Sequence, residues 1–327
     1  MNNYNKANGL QRRSAINNKV HHSLRALNSS VPLTVANASH WRQFIEKEVG
    51  FVLPDEQLQW LLNAVNNTAN NQGLSVKKLW AAVQTDREIR QNLLDMVLIP
   101  ESRFFRHLPS IQFVTELAML ANQQHVQLLS HNDHNNDKDN DKEIDATFRI
   151  WSVGCSAGQE VWSLAMNLAA QQLDKYLILG TDVRQQALVR ARVGQYEYRQ
   201  CQLMPASCQQ FLQPVVMSDD IVTSSSQMVT ESLWQVNDEL RKHVNFTWHN
   251  IFTKAMPTAH LQQVIMCQNV LIYFRQFDQR DILTRLATQC ALGGHIILAP
   301  GEGLGWRPHN MRRIKHPQVN AWQKISI

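Results

Sequence analysis

Between Trp41 and Val97 apolar residues return every three or four positions. Leu58, Leu61, Leu62 and Val65 fall at i, i+3, i+4 and i+7. So do Val76, Leu79, Trp80 and Val83, and Ile89, Leu93, Met96 and Val97 continue the series. That period puts them on one face of successive helices, with Pro54 and Gln72-Gly73 as the breaks. The pattern predicts a small helical domain over residues 39–108, its Trp and Leu positions serving as core. A further helical pattern runs from Ile111 to Ala121.

Beyond residue 148 the pattern changes. In RIWSVGCSAGQEVWSLAM (149–166), Arg149 to Val153 is a buried-strand run and Glu160 to Met166 a helix, with a glycine turn between them. Tyr176 to Thr181 is another apolar run, closed by Asp182, and Gln185 to Val193 is helical. VNFTWHNIF (244–252) reads as a strand leading to Asn250, and Leu261 to Cys267 as a buried strand leading to Gln268-Asn269. Ile282, Leu283, Leu286, Ala287 and Cys290 form one face of a helix that Gly293-Gly294 is expected to stop. His295 to Ala299 begins the next strand. Strands alternating with helices predict an α/β, doubly wound and mostly parallel sheet that holds its ligand at the carboxyl ends of the strands. Two stretches stand apart. Residues 128–146, containing HNDHNNDKDNDKEID, are expected to be a flexible polar loop, and about 205–245, containing SDDIVTSSSQ, a small β-subdomain.

Composition narrows the class. The 327 residues are 44% hydrophobic and 18% charged, enough for a substantial core. No apolar run is long enough for a membrane span, and no signal-peptide core follows Met1. The five cysteines (155, 201, 208, 267, 290) show no CxxC spacing, which suits reduced thiols in a cytoplasmic protein and offers no metal site. Asp137, Asp139 and Asp141 match the first three positions of a calcium loop. Its sixth position is Lys142 and its twelfth Phe148, so a solvated loop is the better reading. Residues 1–45 carry +6 of a whole-chain charge of +5, so the remainder carries −1. A near-neutral folded part argues against a nucleic-acid face, and residues 1–38 are expected to be a disordered basic leader.

The turn Gly154-Cys-Ser-Ala-Gly158 carries two glycines, spaced G-x-x-x-G, where a dinucleotide fold wants three. Glu160 would oppose a pyrophosphate at that helix end and favour a cation. Asp182 closes the second strand, where an acid accepts hydrogen bonds from ribose hydroxyls. An adenosine ligand with a cationic, phosphate-free tail describes S-adenosylmethionine. A plain strand–turn–helix without ligand fits the turn equally well, while a nicotinamide oxidoreductase fits poorly.

Taken together in this order, SRFFR, RIWSVGCSAGQE, GTDVRQQALVRARVGQY, VNFTWHNI and CQNVLIYF resemble the CheR family, bacterial chemotaxis-receptor methyltransferases. The segment from GFVLP to FFR is similar to that family's N-terminal helical domain, so the resemblance covers about residues 40–327. It implies a Rossmann-like S-adenosylmethionine methyltransferase domain over 109–327 behind the helical domain. The implied reaction is methyl transfer to glutamate side chains on the cytoplasmic helical domain of a methyl-accepting receptor, with S-adenosylhomocysteine released. By motif, Ser102 and Arg106 would lie against the cofactor, with Arg106 near the reacting carboxylate. Gly154 would supply the turn, Glu160 would hold the methionine ammonium, and Asp182 the ribose. Asn250 and Ile251 would flank the adenine, Gln268 and Asn269 would line the cleft, and Tyr273 would stand beside the sulfonium methyl. The enzyme is expected to be a cytoplasmic monomer.

The chain departs from the family pattern at several points. Gln159 replaces the first acid after the turn, Gln268 an arginine, and Pro100 an asparagine, and the usual His-Ser-Glu turn reads Pro300-Gly301-Glu302. DEQLQWLLNAVNNTANNQG, where family members often carry an arginine-rich recognition helix, has no Lys or Arg. Recognition is then expected to differ or to fall to Lys77, Lys78, Arg87 and Arg90, which suggests a receptor of a type IV pilus or other non-flagellar array. The β-subdomain lacks the family's glycine-bearing loop, so no docking of a receptor's C-terminal peptide is expected. The competing reading is a methyltransferase-fold scaffold whose activity has decayed.

Overall fold

The computed structural model describes residues 38–98, 101–132, 146–202, 204–215, 233–303 and 305–327. The basic leader (all but Ala38), Pro100, the acidic triplet 137–141 and the tract SDDIVTSSSQ lie outside the described residues. The chain divides into two compact units. The first takes the described residues up to Gln43 together with Pro54–Val97, and the second takes Phe44–Leu53 and everything from Leu98. The helical unit thus ends at Val97, short of the 108 expected for the helical domain, and the segment 44–53 belongs to the second unit. Its partners there, described below, are far away in sequence.

In the first unit α2 (Leu58–Asn71), α3 (Val76–Thr85) and α4 (Arg87–Val97) follow the first part of α1 (Ser39–Val49). The positions spaced three and four apart are the buried ones: Leu61, Leu62 and Val65 on α2, Leu79 and Val83 on α3, Leu93 and Val97 on α4. Trp41 meets Trp80 edge-on at 4.8 Å. Ser75 and Asp86 accept amide hydrogens at the starts of α3 and α4, satisfying donors that a helix leaves open. Arg90 donates to the carbonyls of Val83 and Gln84, so its guanidinium closes the end of α3 and is not a free recognition cation.

The second unit holds a seven-stranded sheet in the order β6-β2-β1-β7-β8-β10-β9. The strands are β1 (Phe148–Val153), β2 (Tyr176–Asp182), β6 (Val244–Trp248), β7 (Gln262–Cys267), β8 (Cys290–Leu298), β9 (Met311–Arg313) and β10 (Asn320–Lys324). The first five run parallel, β10 runs antiparallel to β8, and β9 runs antiparallel to β10. Helices α5 (Leu108–Asn132), α6 (Gln159–Ala170), α7 (Gln185–Val193) and α8 (Gln276–Gln289) complete the crossovers and cover. Successive strand residues serve opposite faces: Ile150, Val264, Met266 and Ile297 join one core cluster, and Trp151, Ile265, Cys267 and Ile296 the other. A parallel sheet covered on both faces needs such unbroken apolar runs, and each large side chain buried contributes roughly 1.5–3 kcal/mol.

Three sequence expectations are corrected. Helix α5 runs to Asn132, five residues into the polar loop expected from residue 128. The helix before β8 ends at Gln289, where Cys290 turns extended (φ −75°, ψ 137°), and Gly293-Gly294 lie inside β8. Sheet pairing of Cys290 with Gln262 stops that helix before any glycine is reached. The inserted sheet, β3 (Gln195–Glu197), β5 (Leu233–Val236) and β4 (Leu212–Pro214), begins ten residues before the expected 205. Gly194, left-handed at φ 65°, caps α7 and releases the chain straight into β3. By Val244 the chain has already joined the main sheet.

Candidate active site

Strand order reverses about β1, which pairs with β2 on one side and β7 on the other. A crevice at the carboxyl ends of the strands follows from that reversal. The observed cleft lies there and is lined from the ends of β1, β2, β6 and β7, by Leu98, Glu101, Ser102, Arg103 and Arg106, and by Val49 and Phe51. Each of Ser102, Arg106, Gly154, Glu160, Asp182, Asn250, Ile251, Gln268, Asn269 and Tyr273 faces it.

The turn after β1 is shaped by close approach. Gly154 is left-handed (φ 68°), and a Cβ there would stand 2.6 Å from Val270 Cγ2. Asp182 fixes the other side: its Oδ2 accepts from the Ser156 amide and its Oδ1 from the Arg184 amide, both at 2.8 Å. Those two amides fix the carboxylate at the strand end, where ribose hydroxyls would find an acceptor. Glu160 accepts from Ser152 Oγ at 2.8 Å. Burial pushes its carboxyl up to about 7; Ser152 and Arg106 work against that and Glu302 adds to it. An acid held so high is poised for a cation.

The SRFFR segment is set by its phenylalanines. Phe104 packs edge-on against Tyr196 at 4.8 Å, and the Phe105 amide donates to Ser163 Oγ at 3.0 Å. Phe105 is left-handed at φ 49°, a strained conformation that these contacts over-determine. Arg106 follows at the cleft and donates to the Glu101 carbonyl and carboxylate, each at 3.3 Å. Tyr273 ends a short 3₁₀ turn (Leu271–Tyr273) after β7. Its ring stacks on Phe51 at 4.5 Å, and its carbonyl accepts from the Val52 amide at 2.9 Å.

Two residues expected to touch the cofactor spend their amides elsewhere. Asn250 Nδ2 donates to the Glu48 carbonyl at 2.8 Å and its Oδ1 accepts from the Phe252 amide at 3.0 Å. Its side chain thus fastens the 44–53 segment, leaving Ile251 and the backbone to face the cleft. Gln268 Nε2 donates to Ser110 Oγ and to the Leu298 carbonyl.

Sequence reasoning missed several contributors. Phe51 and Val49 come from the N-terminal helical pattern, Ser152 sits mid-strand, and His249 was passed over beside Asn250. Glu302 was noticed only as the last residue of an altered turn. It is 6% exposed, and its Oε2 accepts from the amides of Asn269 (3.1 Å) and Ala299 (2.9 Å). Asn269 is left-handed (φ 58°), so Glu302 holds the bend that leads to Tyr273.

Cradled turn, strand-end carboxylate and buried acid at the helix start fit an adenosine carrying an ammonium tail. Fold and site define a methyltransferase dependent on S-adenosylmethionine. The model of the CheR methyltransferase, SAM binding domain, matches residues 115–319, and the chain belongs to that family. It is similar to chemotaxis protein methyltransferase 1 of Pseudomonas aeruginosa, 25% identical over 300 residues, covering 86% of this chain and 96% of that one. Chemotaxis protein methyltransferase Cher2 of Pseudomonas putida is 22% identical over 288 residues, covering 84% and 93%. Among solved structures, the N-methyltransferase NodS from Bradyrhizobium japonicum with S-adenosyl-L-homocysteine aligns with 17% identity and a TM-score of 0.26, covering 46% and 51%. Among the described residues no helix is long and apolar enough to cross a membrane, and no cluster of His, Cys, Asp and Glu could hold a metal ion.

Proposed function

We propose that this methyltransferase esterifies glutamate side chains on the cytoplasmic helices of a methyl-accepting chemoreceptor. The observation that carries the reading is a single cleft bearing Glu160, Asp182, Arg106 and Tyr273 together. Asp182 takes the ribose and Glu160 the methionine ammonium, with Gly154 allowing close approach of the backbone. Ser102, Ile251 and Asn269 line the remaining wall. S-adenosylmethionine supplies the methyl group when bound and leaves as S-adenosylhomocysteine.

The acceptor glutamate is ionised near neutral pH, so no general base is required. Its oxygen forms the new bond to the methyl carbon, and the electron pair of the broken carbon–sulfur bond stays on sulfur. No proton moves. Charge disappears at the reacting centre, which makes exclusion of water an advantage. What the protein supplies is position: Arg106 offers a guanidinium fork to the carboxylate, and Tyr273, backed by Phe51, offers a ring face to the sulfonium. The receptor fits this chain's chemistry as a helix presenting carboxylates, and Lys77, Lys78 and Arg87 are exposed cations of the helical unit that suit such a partner. Relatives named as chemotaxis protein methyltransferases support that choice.

The test is transfer of labelled methyl from S-adenosylmethionine to receptor cytoplasmic fragments, with base-labile release of methanol marking the ester. Calorimetry with S-adenosylhomocysteine accompanies it, and Asp182→Ala serves as the control that abolishes binding. Cofactor binding with no transfer to any glutamate-bearing fragment would recast the chain as a binding module.

A further inference from the structure

His249 follows the last residue of β6, and its amide extends the sheet by donating to the Asp182 carbonyl at 3.1 Å. Its ring lines the cleft beside Asn250 and Ile251 and lies 5.7 Å from Trp151, steeply inclined at 64°. The residue is 8% exposed. Nε2 stands 2.8 Å from the Ala255 carbonyl oxygen. A carbonyl can only accept, so Nε2 carries the hydrogen and Nδ1 of the neutral ring is a bare acceptor. Among the described residues Nδ1 has no partner. Burial lowers the tendency of this ring to take a second proton, and the charge of Arg285 works in the same direction.

A buried acceptor with no donor is costly, and such an atom at a binding site marks a place for a ligand's donor. Asn250 does not compete for the role, since its amide already bridges Glu48 and Phe252. Adenine offers one exocyclic donor, its 6-amino group; a 6-oxopurine offers an acceptor there. We propose that His249 Nδ1 accepts a hydrogen bond from the adenine 6-amino group and so selects an adenosine cofactor over its 6-oxo counterpart. The inference rests on the reading of this cleft as the S-adenosylmethionine site. Arg285 is the rival: its Nη2 donates to the Ile251 carbonyl at 2.7 Å, while its Nε has no partner. A water shared by Nε and Nδ1 would give His249 a structural role only.

Calorimetric titration of the full chain with S-adenosylhomocysteine and with S-inosylhomocysteine separates these cases. The wild-type protein should prefer the adenosine ligand by about tenfold or more. His249→Phe should lose about tenfold for S-adenosylhomocysteine and nothing for the inosine ligand. His249→Gln, which restores an acceptor oxygen, should recover part of the preference. Equal losses for both ligands, or a wild-type protein that does not discriminate, would overturn the proposal while leaving the cleft assignment intact. Failure of the wild-type chain to bind S-adenosylhomocysteine at all would remove the cleft assignment and the proposal together.

Discussion

Arg106 Nη2 stands 3.3 Å from Glu101 Oε1, so the guanidinium assigned to the methyl acceptor already faces a carboxylate. Glu101 is largely exposed, and a pair so placed is worth at most about 1 kcal/mol. A substrate glutamate can displace it cheaply. Glu101→Gln should therefore lower the KM for the receptor fragment by no more than about fivefold and leave kcat in place. Arg106→Ala removes the fork itself and should cut transfer at least a hundredfold, with S-adenosylhomocysteine affinity changed far less. Initial rates across receptor concentrations distinguish the two variants, and transfer that survives Arg106→Ala would remove Arg106 from the mechanism.

Tyr273 contributes through its ring. The ring is half-buried against Phe51, and burial pushes its hydroxyl pKa up, so the group stays neutral. A cation–π contact to the sulfonium is worth about 0.5–2 kcal/mol. Tyr273→Phe should keep transfer within about threefold, whereas Tyr273→Ala should cost up to about thirtyfold. Phe51→Ala should fall between them, because it frees the ring without deleting it. Single-turnover rates read this directly; a large loss in Tyr273→Phe would mean that the hydroxyl has a role of its own.

Much of this site was legible because its chemistry sits at strand ends. The alternation of buried runs and helical faces located β1, β2, β6 and β7, and Gly154, Glu160, Asp182 and Asn269 then fell where a doubly wound sheet keeps its ligand. Contacts between residues remote in sequence were not legible. Nothing near Glu48 signals that its carbonyl meets Asn250, 202 residues on. Nor does periodicity separate Phe44–Leu53 from the helical unit that surrounds it in sequence. Short strands such as β3 and β4 carry too few residues to show a period. The stop of α8 escaped because sheet pairing at Cys290, not a glycine, ends it.

Glu160 makes cofactor binding depend on pH. Its carboxyl is held at about 7 without ligand, against an ordinary 4.5. An ammonium beside it favours the ionised form, so the complex must expel a proton wherever the free protein holds one. Affinity should then fall by up to about tenfold per unit as pH drops from 7 towards 4.5. The ligand-free protein should behave oppositely: the folded state keeps a proton that the unfolded chain releases, so stability falls as pH rises from 4.5 to 7. Calorimetry at pH 6 in two buffers of different ionisation enthalpy should register release of close to one proton, absent in Glu160→Gln. A pH-independent affinity would show that Glu160 does not meet the ammonium.

Glu302 lies behind the cleft yet governs its far wall. One oxygen bridges the amides of Asn269 and Ala299, and Asn320 Nδ2 ties the carbonyls of Ala299 and Glu302 at 3.0 and 2.8 Å. The tie runs from β10 through the 299–302 turn to the left-handed bend at Asn269, four residues before Tyr273. Glu302→Ala would leave two buried amides without acceptors, at roughly 1–3 kcal/mol each, and would release the bend. The melting temperature should fall by several degrees. Over and above that loss, kcat should drop below the melting range while the KM for receptor stays near wild type, since neither Arg106 nor the receptor-facing surface is touched. Glu302→Gln keeps an acceptor oxygen on the amides and should restore most of both. A Glu302→Ala enzyme with lowered stability but unchanged kcat would confine this carboxylate to holding the fold.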